Sequence, residues 1–425
     1  MVIIKDFSIL TLINLRIEKK INDHTALYLR GHVKDEDAFK YAKKLDEDII
    51  VYYKRDDSEE IIFHGIIDSI TVEKIRDNSY IEMKAYSYSY KEDREERVNM
   101  FQNIEMTYQE MVDALDMKDS TIAYIDKQKG NQKINTPMCQ YEETNFQFLK
   151  RVASRENLPL IVEDVSNQRP YIWLGRKKGK KKAIGSCDFR IENSSISRTC
   201  SITTEEKVDI GDWIKIEEEE WYVVGLEVFL NKGILYFKCQ LTMYDQYISE
   251  TFENPKIAGK SMIVEVAHNV DPEKKGRLQV MFDGEKVSSN CFWFPYLTPY
   301  GGDQLGISFI PEKGDKVLVY FPTKKEEEAV IIGSLRKNGY DELEFPDVKR
   351  IKVDKDKEII FAKDTIRIEG AKEKVLLELS SDCLKLENQH SLLKLEKDCI
   401  ELTTKNASIK IQNDVEIKGN KIKLN

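Results

Sequence analysis

Five histidines, at 24, 32, 64, 268 and 390, are the side chains best suited to move protons or hold a transition metal near neutral pH. They are scattered without HExxH or HxH spacing, so no metal centre is encoded locally. His24 and His32 fall on one face of an expected strand, where a satisfied histidine outweighs a ligand. The seven cysteines, at 139, 187, 200, 239, 291, 383 and 399, are odd in number, widely spaced and free of a CxxC pair. They read as reduced thiols of a protein assembled in a cytoplasm, and neither zinc nor a disulfide framework is expected. Asp341 and Glu342 have the group types of glycoside hydrolysis without a folded cleft around them. The basic run from Gly175 to Lys182 lacks the GxxxxGK[ST] spacing and a preceding βα unit, so it reads as a solvated hairpin tip that could meet an acidic neighbour. Phe292, Trp293, Phe294 and Tyr296 could stack nucleobases, but around Pro295 they read as barrel core and interdomain packing. The expectation is a protein with no catalytic, metal or cofactor site, and not an enzyme.

The elements that carry these residues are bounded by length and composition. A chain of 425 residues is long enough for about three domains. Its 66 Lys and Arg against 75 Asp and Glu leave a formal charge of −9, which argues against an electrostatic grip on nucleic acid. With 41% hydrophobic residues it is too apolar for wholesale disorder. No 18 apolar residues run together, and the apolar stretch from Phe7 to Leu15 has no cleavage site after it, so neither a spanning segment nor a signal peptide is expected.

Residues 1–105 alternate in strand fashion around a helix expected between Lys34 and Asp48, and Thr107 with Glu110 forms a capping box opening another helix. A third helix is expected from Thr144 to about Asn157, with Phe148, Leu149 and Val152 on its apolar face. About four strands between Ser195 and Tyr244 suggest a second small barrel. Five short strands in residues 258–340, divided by Gly and Pro turns, suit a Greek-key barrel of the OB type.

From about Lys349 the character changes. Residues 346–425 contain one aromatic, Phe361, and 24 Ile, Leu or Val. These occur as doublets spaced by one residue: Ile366 and Ile368, Leu377 and Leu379, Leu384 and Leu386, Leu393 and Leu395, Ile400 and Leu402, Ile409 and Ile411, Val415 and Ile417, Ile422 and Leu424. Successive doublets begin 11, 7, 9, 7, 9, 6 and 7 residues apart, an imperfect repeat of strands rather than a helical heptad. Each strand has one narrow aliphatic stripe and too little bulk to cover it alone. Copies winding together would bury the stripes on a common axis, and three is the smallest number that closes a prism. A single-chain solenoid is the alternative.

Three stretches resemble the VgrG family and the equivalent hub-spike proteins of contractile phage tails and tailocins. Gln140-Tyr-Glu-Glu-Thr-Asn-Phe-Gln-Phe-Leu-Lys-Arg-Val-Ala153 is similar to the family's hub helix. Asp271-Pro272 with Gly276-Arg277, then Trp293, Pro311-Glu312, Gly314-Asp315 and finally Gly333 are similar to its spike OB domain. The run Lys324-Lys-Glu-Glu-Glu328 departs from that pattern in the OB hairpin.

The resemblance implies a mainly β fold: an α+β hub with two small β-barrel units at 1–257, an OB-fold spike domain at 258–340, a connector at 341–349, and an intertwined triple-stranded β-helix needle at 350–425, as a homotrimer. It implies a structural hub and cell-puncturing spike of a phage tail, tailocin or type VI-like system, driven through an envelope by sheath contraction, with tail tube and baseplate proteins as partners. A tip-capping protein of the PAAR type and an effector cargo are further partners it implies, and the needle doublets would form the trimer core. The particle would assemble in the bacterial cytoplasm and be delivered outward on firing. A hub with peptidoglycan hydrolase activity is the alternative function, and an OB-type nucleic-acid binder is a third.

Overall fold

A computed structural model describes residues 1–425 except 56–57, 118–120, 167–170, 178, 186, 195–196, 244–249, 283–286, 303–304, 337–346, 355, 371–374 and 424–425. The expected connector, with Asp341 and Glu342, therefore falls largely outside the described residues, as does Leu424. The chain divides into two compact units, Met1–Leu335 and Arg336–Asn425. No helix among the described residues is long and apolar enough to cross a membrane.

The two strand groups expected in the hub are hydrogen-bonded into one sheet. Strand Ile9–Lys20 pairs along one edge with Ala26–Val33 and along the other, from Arg16 to Lys20, with Glu219–Asn231. From that seam the order runs outward through Asn78–Ser87, Ser58–Ile75 and Asp48–Arg55 on one side, and through Ile234–Thr242 and Arg198–Thr204 on the other. One apolar core lies beneath both halves, joining Leu15, Ile17 and Phe63 to Trp221, Val228 and Phe237. The inward row of the seam strand continues Leu15, Ile17, Lys19, so a lysine stands where a core residue would. Its Nζ lies 2.9 Å from Asp164 and 3.1 Å from Asp209. Burial alone pushes the Lys19 ammonium down, but the two carboxylates outweigh it and hold the group above the usual lysine range.

The helices follow their caps. Thr107 with Glu110, and Thr144 with Gln147, complete reciprocal capping boxes at the starts of helices Tyr108–Asp113 and Asn145–Arg155. The latter ends in a Schellman motif. Leu158 N–H reaches Ala153 O at 2.8 Å and Asn157 N–H reaches Ser154 O at 3.1 Å, with Asn157 in the left-handed region at φ 54°. The helix expected between Lys34 and Asp48 is shorter, Asp35–Tyr41, because the chain turns through Asp46 at φ 60° to enter strand Asp48–Arg55. His24 precedes strand Ala26–Val33, so it does not share a strand face with His32 as the alternation suggested.

The OB region closes as a barrel of five segments. Lys260–His268 pairs antiparallel with Gln279–Met281 and with Lys316–Phe321, which pairs with Val330–Leu335. Leu278 and Phe294 exchange backbone hydrogen bonds of 2.9 and 2.8 Å, and Ile331 bridges Tyr296 in parallel, donating to Pro295 O at 2.8 Å. The segment around Phe294 thus joins the second and fifth strands, the connectivity that defines the OB fold.

The second unit is an antiparallel meander of nine strands among the described residues, from Lys349–Asp354 to Val415–Gly419, each paired with its neighbours in sequence.

Replacing Lys19 by methionine keeps the stem but strands Asp164, whose second carboxylate oxygen already has no hydrogen-bond partner. The expected loss is about 3–5 kcal/mol of unfolding free energy in urea titration, the usual consequence of removing one partner of a buried pair. An unchanged midpoint would show that the lysine is not what holds the seam.

Candidate functional site

The residues singled out by sequence act by holding elements together. Arg151 stands on helix Asn145–Arg155 one turn from Phe148, inside the apolar face, and is buried. Its Nε donates to Glu143 at 2.9 Å, Nη2 to Glu143 at 2.8 Å and to the Cys139 carbonyl at 2.8 Å, and Nη1 to Glu326 at 2.8 Å. Glu326 is 1% exposed and also accepts the Cys139 backbone N–H at 3.2 Å. Burial pushes the Arg151 guanidinium down, but Glu143 and Glu326 outweigh it and keep the charge fixed; burial raises the Glu143 carboxyl despite Arg151.

Glu326 belongs to the Lys324–Glu328 run, the place where the sequence departs from the hub-spike pattern. That departure makes a hub contact: the short turn Glu326–Glu328 plugs its first carboxylate into the hub helix, while Lys324 pairs with Glu253 at 2.7 Å. Nearby, Gln140 donates to Glu143 O at 3.1 Å and Asn145 Oδ1 at 3.0 Å and accepts from Asn99 at 2.7 Å, so the motif's polar residues form one buried network. Hub and barrel also join through backbone: Phe292 N–H donates to Gln102 O at 2.8 Å and Ile104 N–H to Asn290 O at 3.1 Å. Met100 and Cys139 of the hub belong to the barrel's core cluster. Phe294 lies within that core and Phe292 packs edge-on against it at 5.0 Å, the packing role read for the aromatic run, while Trp293 is part-exposed.

Asp271 organises the OB entry loop. Its carboxylate receives Arg277 Nε and Nη2, each at 2.9 Å, and the backbone N–H groups of Glu273 and Lys275, each at 2.9 Å. These bonds, Arg277 first, hold the Asp271 carboxyl well below the usual carboxylate range. The loop's stabilisation is therefore complete above the unfolded-state value of about 4 and is lost only as pH falls through the depressed folded value. Pro272 sits in this loop, and Gly276, at φ 70°, turns the chain into Arg277. Farther along, Glu312 N–H donates to Asp315 at 2.8 Å across a turn in which Gly314 has φ 88°, and Asn269 donates to Pro311 O at 3.1 Å. Gly333 pairs with Leu318 in the closing strands.

In the second unit the doublets fall into two cross-strand columns on one face. One runs Ile366, Leu379, Leu384, Leu395, Ile400, Ile411, Val415; the other runs Ile368, Leu377, Leu386, Leu393, Leu402, Ile409, Ile417. Ile422 lies beyond the last strand. Ile366, Ile368, Leu379, Leu386, Ile400, Leu402, Ile409, Ile411, Val415 and Ile417 remain 38–62% exposed. The opposite face carries the rung sequence Arg367, Glu378, Lys385, Lys394, Glu401, Lys410, Glu416, in which all neighbours but Lys385 and Lys394 are oppositely charged.

One constellation missed in the sequence has the look of a hydrolase. Ser89 Oγ and His24 Nδ1 are 2.8 Å apart, and His24 Nε2 lies 3.3 Å from Asp93. Ser89, however, is 3% exposed and shares its hydroxyl with Ser87 at 2.9 Å, so a scissile bond has no approach to it. Asp93 also accepts from Thr144, the hub helix cap. The set straps the helix N-terminus to neighbouring turns, and such long-range pairing has no local sequence signal. The basic run also differs from a free hairpin tip: Lys177 pairs with Glu163 at 2.7 Å, Lys181 with Glu220 at 2.5 Å and Lys182 with Asp212 at 3.9 Å, while Lys178 is outside the described residues. No group of three or more His, Cys, Asp or Glu among the described residues is placed to hold a metal ion.

Removing the Glu326 carboxylate leaves Arg151 buried with one of its two carboxylate partners. Glu326→Ala is expected to cost about 3–5 kcal/mol in chemical denaturation, and Glu326→Gln less. A loss under about 1 kcal/mol for the alanine variant would mean that the clasp is not a joint.

Residues 262–335 match the model of the type VI secretion system and phage-baseplate injector OB domain. No curated protein matches the chain by sequence. Among solved structures, the E. coli c3393 protein, a type VI secretion component described as structurally similar to the T4 bacteriophage tail proteins gp27 and gp5, is 12% identical with a TM-score of 0.55. That match covers 79% of this chain and 100% of that one. A chain of the half-lidded Francisella PdpA–VgrG complex gives a TM-score of 0.56 at 9% identity, covering 96% of this chain and 83% of that one. The lidless complex gives 0.55 at 8%, covering 96% and 93%. The protein thus carries a region matching the injector OB domain and shares its fold with solved type VI secretion proteins.

Proposed function

We propose that the protein is the hub and puncturing spike of a contractile injection apparatus, a phage tail, tailocin or type VI-like system, and works as a homotrimer without catalysis. The observation that carries this reading is the pair of aliphatic columns in the second unit. A sheet whose inner strands are paired on both edges within the chain, and whose apolar face is half open to solvent, has its hydrophobic burial incomplete. Two further copies supply the missing cover. Dry, interdigitated side chains on a common axis then give a rod that resists buckling, which is what piercing demands and what needs no reactive group. The charged opposite face keeps the rod in solution before firing.

In this reading, residues 1–257 meet the tail tube and baseplate, residues 258–340 form the collar beneath, and residues 350–425 form the needle, with a tip-capping protein and cargo beyond it. The particle assembles in the bacterial cytoplasm and travels outward on sheath contraction. The fold shared with type VI and phage-tail proteins and the matched injector OB domain support the assignment. Ser89 is buried, so the Ser89, His24 and Asp93 set lends no support to the hydrolase alternative.

Light scattering of the full chain is expected to give about 149 kDa, three times the 49.6 kDa of one copy. A mass of one copy would sink the proposal. Leu393→Glu, which puts a charge in the middle of a column, is expected to lower the measured mass to that of one copy. The intact protein is expected to leave no clearing in a peptidoglycan zymogram.

A further inference from the structure

A groove on the OB barrel takes no part in the joints described above, and we propose that it is a binding site for a polysaccharide strand that carries widely spaced carboxylates. It lies between the entry loop, residues 269–276, and the segments 296–302 and 305–310, with a volume of about 610 Å³. That is the size of a small-ligand site, and both walls belong to the unit Met1–Leu335.

Asp271 fixes the first wall. By gathering Arg277 and the N–H groups of Glu273 and Lys275 it folds the loop so that Lys274 stands in the left-handed region at φ 57°, its N–H bonded to Asp271 O at 3.0 Å. Residues other than glycine seldom adopt that region, and the Asp271 network sustains the strain. The charges around Lys274 are spent on one another. Lys275 pairs with Glu273 at 2.6 Å, and Arg277 pairs with Asp271 and Glu273, each at 2.9 Å. Lys274 is exposed, forms no ion pair among the described residues, and lines the groove.

The second wall is a tight hairpin in which Gly301 pairs with Gly306 and Gly302 with Leu305. Gly306 has φ 142°, and a Cβ there would stand 2.5 Å from Tyr300 O, so only glycine closes the turn. Thr298 Oγ1 donates to Ile307 O at 2.5 Å and Ile307 N–H to Tyr300 O at 2.9 Å, which fixes the base of the hairpin. Tyr300 and Phe309 flank it, 57% and 54% exposed, and Tyr296 lines the groove half-buried. Rings left open to water on a fixed frame suit the C–H-rich face of a pyranose, which is flat and apolar with hydroxyls at its rim. OB barrels take oligosaccharides and oligonucleotides alike beside the loop between their first and second strands, and here charge separates the two. A nucleic-acid strand has a phosphate on every nucleotide and needs a track of cations. Among its described lining residues the groove offers one unspent cation, on a chain of net charge −9. A glycan with one carboxylate in each disaccharide meets that single ammonium and the rings together.

The test titrates the full chain by calorimetry with three probes: a hyaluronan octasaccharide, which alternates N-acetylglucosamine with glucuronate, a neutral chitin hexasaccharide, and an oligothymidylate of similar length. Hyaluronan is expected to bind about tenfold more tightly than chitin, in keeping with one added contact to a charged group. Lys274→Asn, which keeps a residue that tolerates the left-handed region, is expected to bring hyaluronan down to the affinity of chitin. Tyr300→Ala and Phe309→Ala, made singly, are each expected to weaken both sugars by about tenfold. All three side chains are exposed, so urea midpoints are expected to stay at that of the unaltered protein. Failure of both sugars to bind, equal binding of the two, tighter binding of the oligothymidylate, or sugar binding that survives all three substitutions would each overturn the assignment.

Discussion

A guanidinium cannot be taken out of water unless carboxylates go with it, and Arg151 brings together three pieces of chain because of that constraint. It stands on helix Asn145–Arg155, and its partners come from strand Met138–Glu143 and from a turn about 175 residues away in the barrel. A hydrophobic contact in the same place would tolerate sliding. The fork of the guanidinium fixes direction as well as distance, so the hub helix, its cap at Thr144 and the barrel's entry by way of Gln102 hold one register. Lys19 does the same for the seam of the large sheet with Asp164 and Asp209. Both sites place a charge on an otherwise apolar row, and both use it as a joint.

Specificity of assembly and burial of apolar area are divided between the two units. In Met1–Leu335 three apolar core clusters are covered within the chain, and buried charges join the elements around them. In Arg336–Asn425 the order is reversed: each strand pairs with its neighbours within the chain, charged rungs line one face, and the apolar columns on the other stay largely exposed. A sheet in that condition would gain hydrophobic stabilisation from any surface that covered the columns.

The sequence carried the parts that obey short-range rules. Thr107 with Glu110 marks a helix start because two side chains three residues apart satisfy each other's backbone neighbours, and Asn157 before Leu158-Pro159 marks a stop. Period two assigned every needle doublet within the strands to one face, since alternate side chains must share a face. What the period cannot carry is the partner of a strand: the same doublets serve a braid or a meander, and the choice lies in turns such as Asn388 and Ser380. Nor could it show that Glu219–Asn231 would pair with Ile9–Lys20, two hundred residues earlier. Glu326 was hidden differently. Three consecutive glutamates look like a solvated tip, and which of them turns inward is decided by a guanidinium far away in sequence.

Arg151 was more accessible. A lone charge at helical spacing among Phe148, Leu149 and Val152 demands a buried acid, because leaving it unpaired would cost several kcal/mol. The same reasoning separates a joint from a catalytic site. Ser89, His24 and Asp93 have hydrogen bonds of the kind a nucleophile requires, but nucleophilic chemistry also needs an open approach, and the hydroxyl is sealed beneath its own turn. Lys19 and Arg151 are sealed likewise, with their charges matched. In each of these networks the polar groups are spent on one another. A polar network satisfied within the chain holds its elements in one register and resists sliding between them.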